Sequence, residues 1–154
     1  MIKNKFPKSL IIFFSILLVA VLGSIFVNIG MEWFNALNKP TQWIVNIIIP
    51  IVWTIIYITF AVILIIWQNK DDLPVTTKVL LIINGVLNVL WCIVFFALKQ
   101  TFGGNIVIIL NLVLGYILVA DIYKNKKLYG LILLIYPIWL SIATTLNLAI
   151  WILN

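Results

Sequence analysis

Three short stripes of rings and amides are the residues best equipped for chemistry. Asn84, Asn88, Trp91 and Phe95 recur at i, i+4, i+7 and i+11, the spacing of a single helix face. Pro50, Trp53 and Tyr57 follow at i, i+3 and i+7, and Tyr136, Trp139, Ala143, Asn147 and Ile150 trace a third stripe. Smaller groups mark two more faces: Ala20, Ser24 and Asn28, and Asn111 with Gly115. Flat rings beside a few amides suit a large planar ligand, held by stacking and a small number of hydrogen bonds. The same stripes also serve as packing faces, on which Asn bonds across helices and Gly or Ala permits close approach.

Other chemistries are closed off by what is missing. The chain has no His and one cysteine, Cys92, which lies in an apolar run and reads as a small buried hydrophobe. Its four carboxylates are Glu32, Asp71, Asp72 and Asp121. That set assembles no metal-ligand cluster, supplies no ordinary acid–base pair and lacks the commonest haem axial ligand. No metal and no cofactor is expected, and any tetrapyrrole bound here would be held by stacking and shape, not by iron ligation.

The elements that must position these stripes follow from composition. Of 154 residues, 65% are hydrophobic and 9% charged, against about 45–50% and about 25% in a soluble domain. The polarity is confined to short breaks, which leave apolar runs at about 9–29, 44–67, 79–98, 105–123 and 128–153. Each is near the ~20 residues that carry a helix across the hydrocarbon core, and about twice what a strand needs. Backbone groups in lipid must pair within their own segment, so each run is expected to be an α-helix. The fold class is therefore all-α: a single membrane domain of five transmembrane helices over 1–154. The first run continues past Val21-Leu22-Gly23, where a signal peptide would be cut, so a first span is expected there. Residues 30–43 read as the longest break, with Trp33, Phe34 and Leu37 forming a short amphipathic turn at the interface.

All ten basic residues are Lys, and the net charge is +6. They sit between apolar runs instead of forming a solvated patch, which excludes nucleic acid as a partner and makes them a topology signal. Lys3, Lys5, Lys8, Lys70, Lys78, Lys124, Lys126 and Lys127 fall on one side, and Lys39 and Lys99 on the other. The positive-inside rule predicts a cytoplasmic N-terminus and an external C-terminus. Trp43, Trp67 and Trp151 lie near span ends, where Trp is common, whereas Trp53, Trp91 and Trp139 lie deeper.

These residues resemble the translocator protein family, also called the tryptophan-rich sensory proteins or peripheral-type benzodiazepine receptors. The likeness is carried by Trp33-Phe34-Asn35-Ala36-Leu37-Asn38-Lys39-Pro40 and by Pro50-Ile51-Val52-Trp53-Thr54-Ile55-Ile56-Tyr57. It continues through Asn84, Asn88, Trp91 and Phe95-Phe96, through Ala120-Asp121-Ile122, and through Tyr136-Pro137-Ile138-Trp139 to Ala143-Thr144-Thr145-Leu146-Asn147, Trp151 and Asn154. The resemblance implies a five-helix bundle in a bacterial cell membrane, often a homodimer, whose cavity opens toward the first loop. It implies binding of porphyrin-like tetrapyrroles and other flat hydrophobic ligands. Carried over position by position, that cavity includes Trp53, Asn88, Trp139 and Ala143, with the loop around Trp33 closing over it; Trp91 and Asn147 join on the stripes above. The family's first loop usually has a Pro-Pro pair after Lys-Pro-x-Trp, whereas Lys39-Pro40-Thr41-Gln42-Trp43 carries one extra residue and no pair. The segment 147–154 lacks the Tyr and the basic residue of the animal sterol motif, so sterol binding through it is not expected.

Three functions from different classes follow. The first is a receptor or sensor that binds tetrapyrroles. The second is a light- and oxygen-dependent porphyrin-degrading enzyme, in which Trp53 and Trp139 would be the catalytic redox partners of an excited ring, as the resemblance implies. The third is a tetrapyrrole or lipid transporter, against which stand the absence of mid-span charges and of two equal halves.

Overall fold

A computed structural model describes residues 6–41 and 47–154 of the chain. Among these, the apolar runs form helices and no strand is present. The helices are α1 (Phe6–Ala36), α2 (Ile48–Lys70), α3 (Val75–Cys92, continued by a π-helical turn at Ile93–Ala97), α4 (Thr101–Asn125), α5 (Lys127–Leu133) and α6 (Ile135–Leu153). Because α5 and α6 continue one another, five spans of 23–29 residues are long and apolar enough to cross a membrane. At 1.5 Å per residue even the shortest exceeds the hydrocarbon thickness. The chain is an integral membrane protein.

The bounds depart from the sequence expectation in informative ways. The first helix runs to Ala36 instead of stopping near residue 29, so Trp33 and Phe34 are helical residues and not part of a loop. Gly30, which looks like a break, is a contact point: a Cβ there would strike the Phe96 carbonyl. Its missing side chain lets α1 lie against the π-helical turn. The start of the second run at 44–46, together with Trp43 and with Lys3 and Lys5, lies outside the described residues. The fifth run is broken at Leu134, where the Leu134 N–H reaches Leu131 O at 3.4 Å. Pro137 accounts for the break, because it has no N–H for the Leu133 carbonyl and its ring crowds that group.

The spans form a ring in which α1 packs on α2 and α3, α3 on α4, α4 on α6, and α2 on α5 and α6. The outward faces are almost wholly Ile, Leu, Val and Phe, as lipid contact requires. One end is cross-linked by polar groups. Lys8 Nζ lies 2.7 Å from Asp72 and Lys126 Nζ 2.6 Å from Asp71, Ser9 bonds Asn69 at 2.7 Å, and Thr77 donates to Asp121 at 2.6 Å. At the other end, the Asn38 N–H donates to Asn154 Oδ1 and Asn154 Nδ2 donates to Asn38 O, both at 2.9 Å. The segment after α1 is thereby tied to the end of α6.

Candidate functional site

Inside the ring the deep rings meet. The Trp53 ring stacks between Tyr57 (centroids 5.7 Å apart) and Trp91 (6.4 Å), and stands edge-on to Tyr136 at 6.3 Å. Trp91 stacks in turn on Phe95 at 5.9 Å. Phe95 is edge-on to Trp33 at 5.7 Å, which brings α1 into the same cluster. The π-helical turn makes this possible. It widens the helix so that the Leu98 N–H reaches back five residues to Ile93 O at 2.8 Å, and the adjacent Phe95 and Phe96 both turn inward. Lys99 then takes a left-handed conformation (φ 57°), and the Gln100 N–H closes on Val94 O at 3.0 Å.

Beneath the rings lies a polar knot. Asn84 Nδ2 donates to Asn111 Oδ1 and to Tyr136 Oη, both at 2.8 Å. Asn88 Nδ2 donates to Tyr136 Oη at 2.8 Å and to Asn84 O at 3.1 Å. The Tyr136 hydroxyl lies 3.3 Å from Asn111 Oδ1, to which it donates. Three helices thus contribute one network, and each member relieves the others of an unpaired group in hydrocarbon. Gly115 allows it: a Cβ there would lie 3.2 Å from both Leu140 Cδ1 and Tyr136 Cε1.

Of the residues the sequence singled out, Trp33, Trp53 and Trp91 share the aromatic cluster, and Asn88 joins it through Tyr136. Trp139, Ala143 and Asn147 follow Tyr136 along the buried face of α6. Trp33 and Trp53 are half-buried and the other five are buried. The amide N–H of Asn88 faces the network, so its donor is already engaged within the protein. Trp67 lies near the end of its span, at Lys70, with its ring turned inward: it is 2% exposed and packs against Tyr129 at 6.0 Å. Trp151 stays exposed beside Phe102.

Several buried polar atoms have no hydrogen-bond partner among the described residues: Trp91 Nε1, Trp139 Nε1, Asn147 Nδ2, and both Nδ2 and Oδ1 of Asn105. In a low-dielectric interior such atoms are uncommon, because an unpaired polar group is costly there. Asn105 was overlooked in the sequence, where it reads as the edge of the fourth run. Its signal was its spacing, three residues from Phe102 and eleven from Tyr116 on one helix face. A groove of about 580 Å³ between the start of α3 and the end of α4 lies elsewhere, bordered by Asp121 and Lys124, and holds none of the stripe residues. Among the described residues no group of His, Cys, Asp or Glu could hold a metal ion.

Comparison with known proteins places the sequence among relatives of similar length. The model of the TspO/MBR family matches residues 11–152. A tryptophan-rich protein TspO of Archaeoglobus fulgidus is 30% identical over 142 residues, covering 91% of this chain and 92% of the relative. A protein of the same description from Bacillus cereus is 24% identical over 148 residues, covering 96% and 97%. Protein CrtK of Rhodobacter capsulatus is 26% identical over 125 residues, covering 79% and 78%.

Proposed function

The chain belongs to the TspO/MBR family, and we propose that it is a receptor or sensor-type membrane protein for porphyrin-like tetrapyrroles and other flat hydrophobic ligands. The ligand lies among Trp53, Trp91 and Trp139, with Trp33 at the rim and Ala143 leaving room on α6. The observation that supports this most directly is the pair of unpartnered indole N–H groups, Trp91 Nε1 on α3 and Trp139 Nε1 on α6. Each costs about 1–3 kcal/mol while unpaired in an apolar interior. A planar ligand that carries acceptors at its edge relieves both, while its faces take over the ring–ring contacts of Trp53 and Trp91.

The test is a dark titration of the detergent-purified protein with protoporphyrin, read by quenching of Trp fluorescence and by the shift of the porphyrin absorption band. Saturable binding, weakened about three- to tenfold by Trp139→Phe with the fold retained, is the expected result; the change removes one hydrogen bond and part of a ring face. Absence of saturable binding, or a Trp139→Phe variant indistinguishable from the parent, refutes the placement.

The stack of Trp53 on Trp91 favours a second reading, a light-dependent porphyrin-degrading enzyme. An indole in contact with a photoexcited ring donates one electron to it, and dioxygen is the terminal oxidant. Illumination of the bound complex in air should then yield a new absorbing product, reduced when Trp53 or Trp139 is changed to Phe. A spectrum unchanged by light leaves the binding reading standing alone.

A further inference from the structure

We propose that Asn105 and Asn147 form a polar subsite between α4 and α6 that takes a neutral donor–acceptor group of the ligand, a carboxylic acid or a carboxamide. The inference rests on the tetrapyrrole-binding reading above and adds to it the chemistry at one edge of the ligand.

Both residues face the same seam. On α4, Phe102 packs on Trp151 at 5.4 Å and Tyr116 lies 3.3 Å from Ser141 through their hydroxyls. Asn105 follows Phe102 by three residues and precedes Tyr116 by eleven, so it shares the stripe that meets α6. On α6, Asn147 lies eleven residues after Tyr136 and four before Trp151, both of which touch α4. The helices run antiparallel, and Asn105 and Asn147 lie one turn inward from the Phe102–Trp151 contact on their respective chains. They therefore sit at the same level, in the half of the bundle away from the lysine-rich end.

Both are deeply buried, at 3% and 4% exposure. Asn105 leaves a donor and an acceptor without partners, and Asn147 leaves a donor. Two amide N–H groups and one amide C=O complement a group whose carbonyl accepts and whose O–H or N–H donates. A carboxylate fits less well, because it offers only acceptors and would set a negative charge against Asn105 Oδ1 in a medium that penalises charge. The subsite lies two helical turns along α6 from Trp139, about 12 Å at the rise of a helix. That is a suitable reach for the side chain of a macrocycle whose ring lies against the indoles.

The experiment compares the diamide of protoporphyrin, whose two carboxamides are neutral and carry both C=O and N–H, with the dimethyl ester, which keeps the carbonyls but has nothing to donate. Both are titrated in the dark into detergent-purified parent protein and into Asn105→Leu and Asn147→Leu, substitutions that keep the branching at Cγ and remove the amide. The parent is expected to bind the diamide about tenfold more tightly than the ester, and either variant to bring that ratio close to one while holding ester affinity. Equal affinity of the parent for diamide and ester overturns the subsite, as does a variant that loses both ligands equally. The parent ratio needs no substitution, so it decides the matter even if a variant fails to fold. If neither compound binds, the tetrapyrrole reading itself fails and takes the subsite with it. That outcome is distinct from tight binding of both with no preference.

Discussion

The hydroxyl of Tyr136 accepts hydrogen bonds from two amides, Asn84 and Asn88, and donates to a third, Asn111. Its ring at the same time stands edge-on to Phe60 and Trp53. Tyr136→Phe keeps the ring and removes the hydroxyl, so Asn88 Nδ2 loses its shortest bond and keeps Asn84, while Asn84 Nδ2 keeps only Asn111 Oδ1. Intramembrane hydrogen bonds are individually modest, so a loss of about 1 kcal/mol is expected, lowering the melting temperature in detergent by about 2–4 °C. A variant that melts with the parent would show that the network carries no net stability. Much at this scale was legible in the sequence. A polar side chain inside an apolar helix has few options, and the stripe through Asn84, Asn88 and Trp91 already placed three members of the buried ring-and-amide cluster on one face. Asn105 was not legible, because a polar residue next to Gly103-Gly104 looks like the end of a loop until the helix is seen to begin at Thr101.

Helices were legible in number and type, since only α-helices of about this length satisfy the backbone in lipid. Their ends were less so. Gly30 illustrates the reason: its role depends on a partner more than sixty residues away, the backbone of Phe96, which no local pattern reveals. Gly30→Ala should force α1 off the π-helical turn and loosen the contact of Trp33 with Phe95, at a cost of about 1–3 kcal/mol in thermal unfolding. Gly23→Ala is the matched control, because its added Cβ would meet only Cys92 Sγ at an ordinary 3.5 Å. Equal melting of the two variants would refute the close approach. The break at Leu134 could have been read from Pro137, whose ring acts one turn upstream. At the connection that follows α4, the hydrogen bond that the Lys126 ammonium donates to the Asp71 carboxylate raises its pKa above the ordinary 10.5. With the folded value raised, the contribution of this tie is fully present below the ordinary lysine range and lost only as pH rises through the raised value. Thermal unfolding between pH 6 and 8 should therefore not register it, and Lys126→Ala should melt at the same offset from the parent across that range.

For the molecule as a whole, the lysines and the fold together argue one orientation. Lys8, Lys70, Lys78, Lys124, Lys126 and Lys127 belong to the ends of α1, α2, α3, α4 and α5 that the ties Lys8–Asp72, Lys126–Asp71 and Thr77–Asp121 draw together. Lys39 and Lys99 belong to the opposite end, where Asn38 bonds Asn154. Short loops flanking the spans are the ones whose Lys content sets topology, because moving them across the membrane works against the potential and the anionic inner leaflet. An odd number of spans places the two termini on opposite sides, so the lysine-rich end, and with it α1's start, is expected in the cytoplasm. The end of α6 and the Asn105–Asn147 level are then on the outer side, where a ligand arriving from outside would first meet polar groups. A reporter fused after Asn154 should read external, and the same reporter inserted at 124–127 should read cytoplasmic. Opposite readouts in the reverse sense would keep the five spans and refute the orientation, and identical readouts from the two positions would refute the five-span fold.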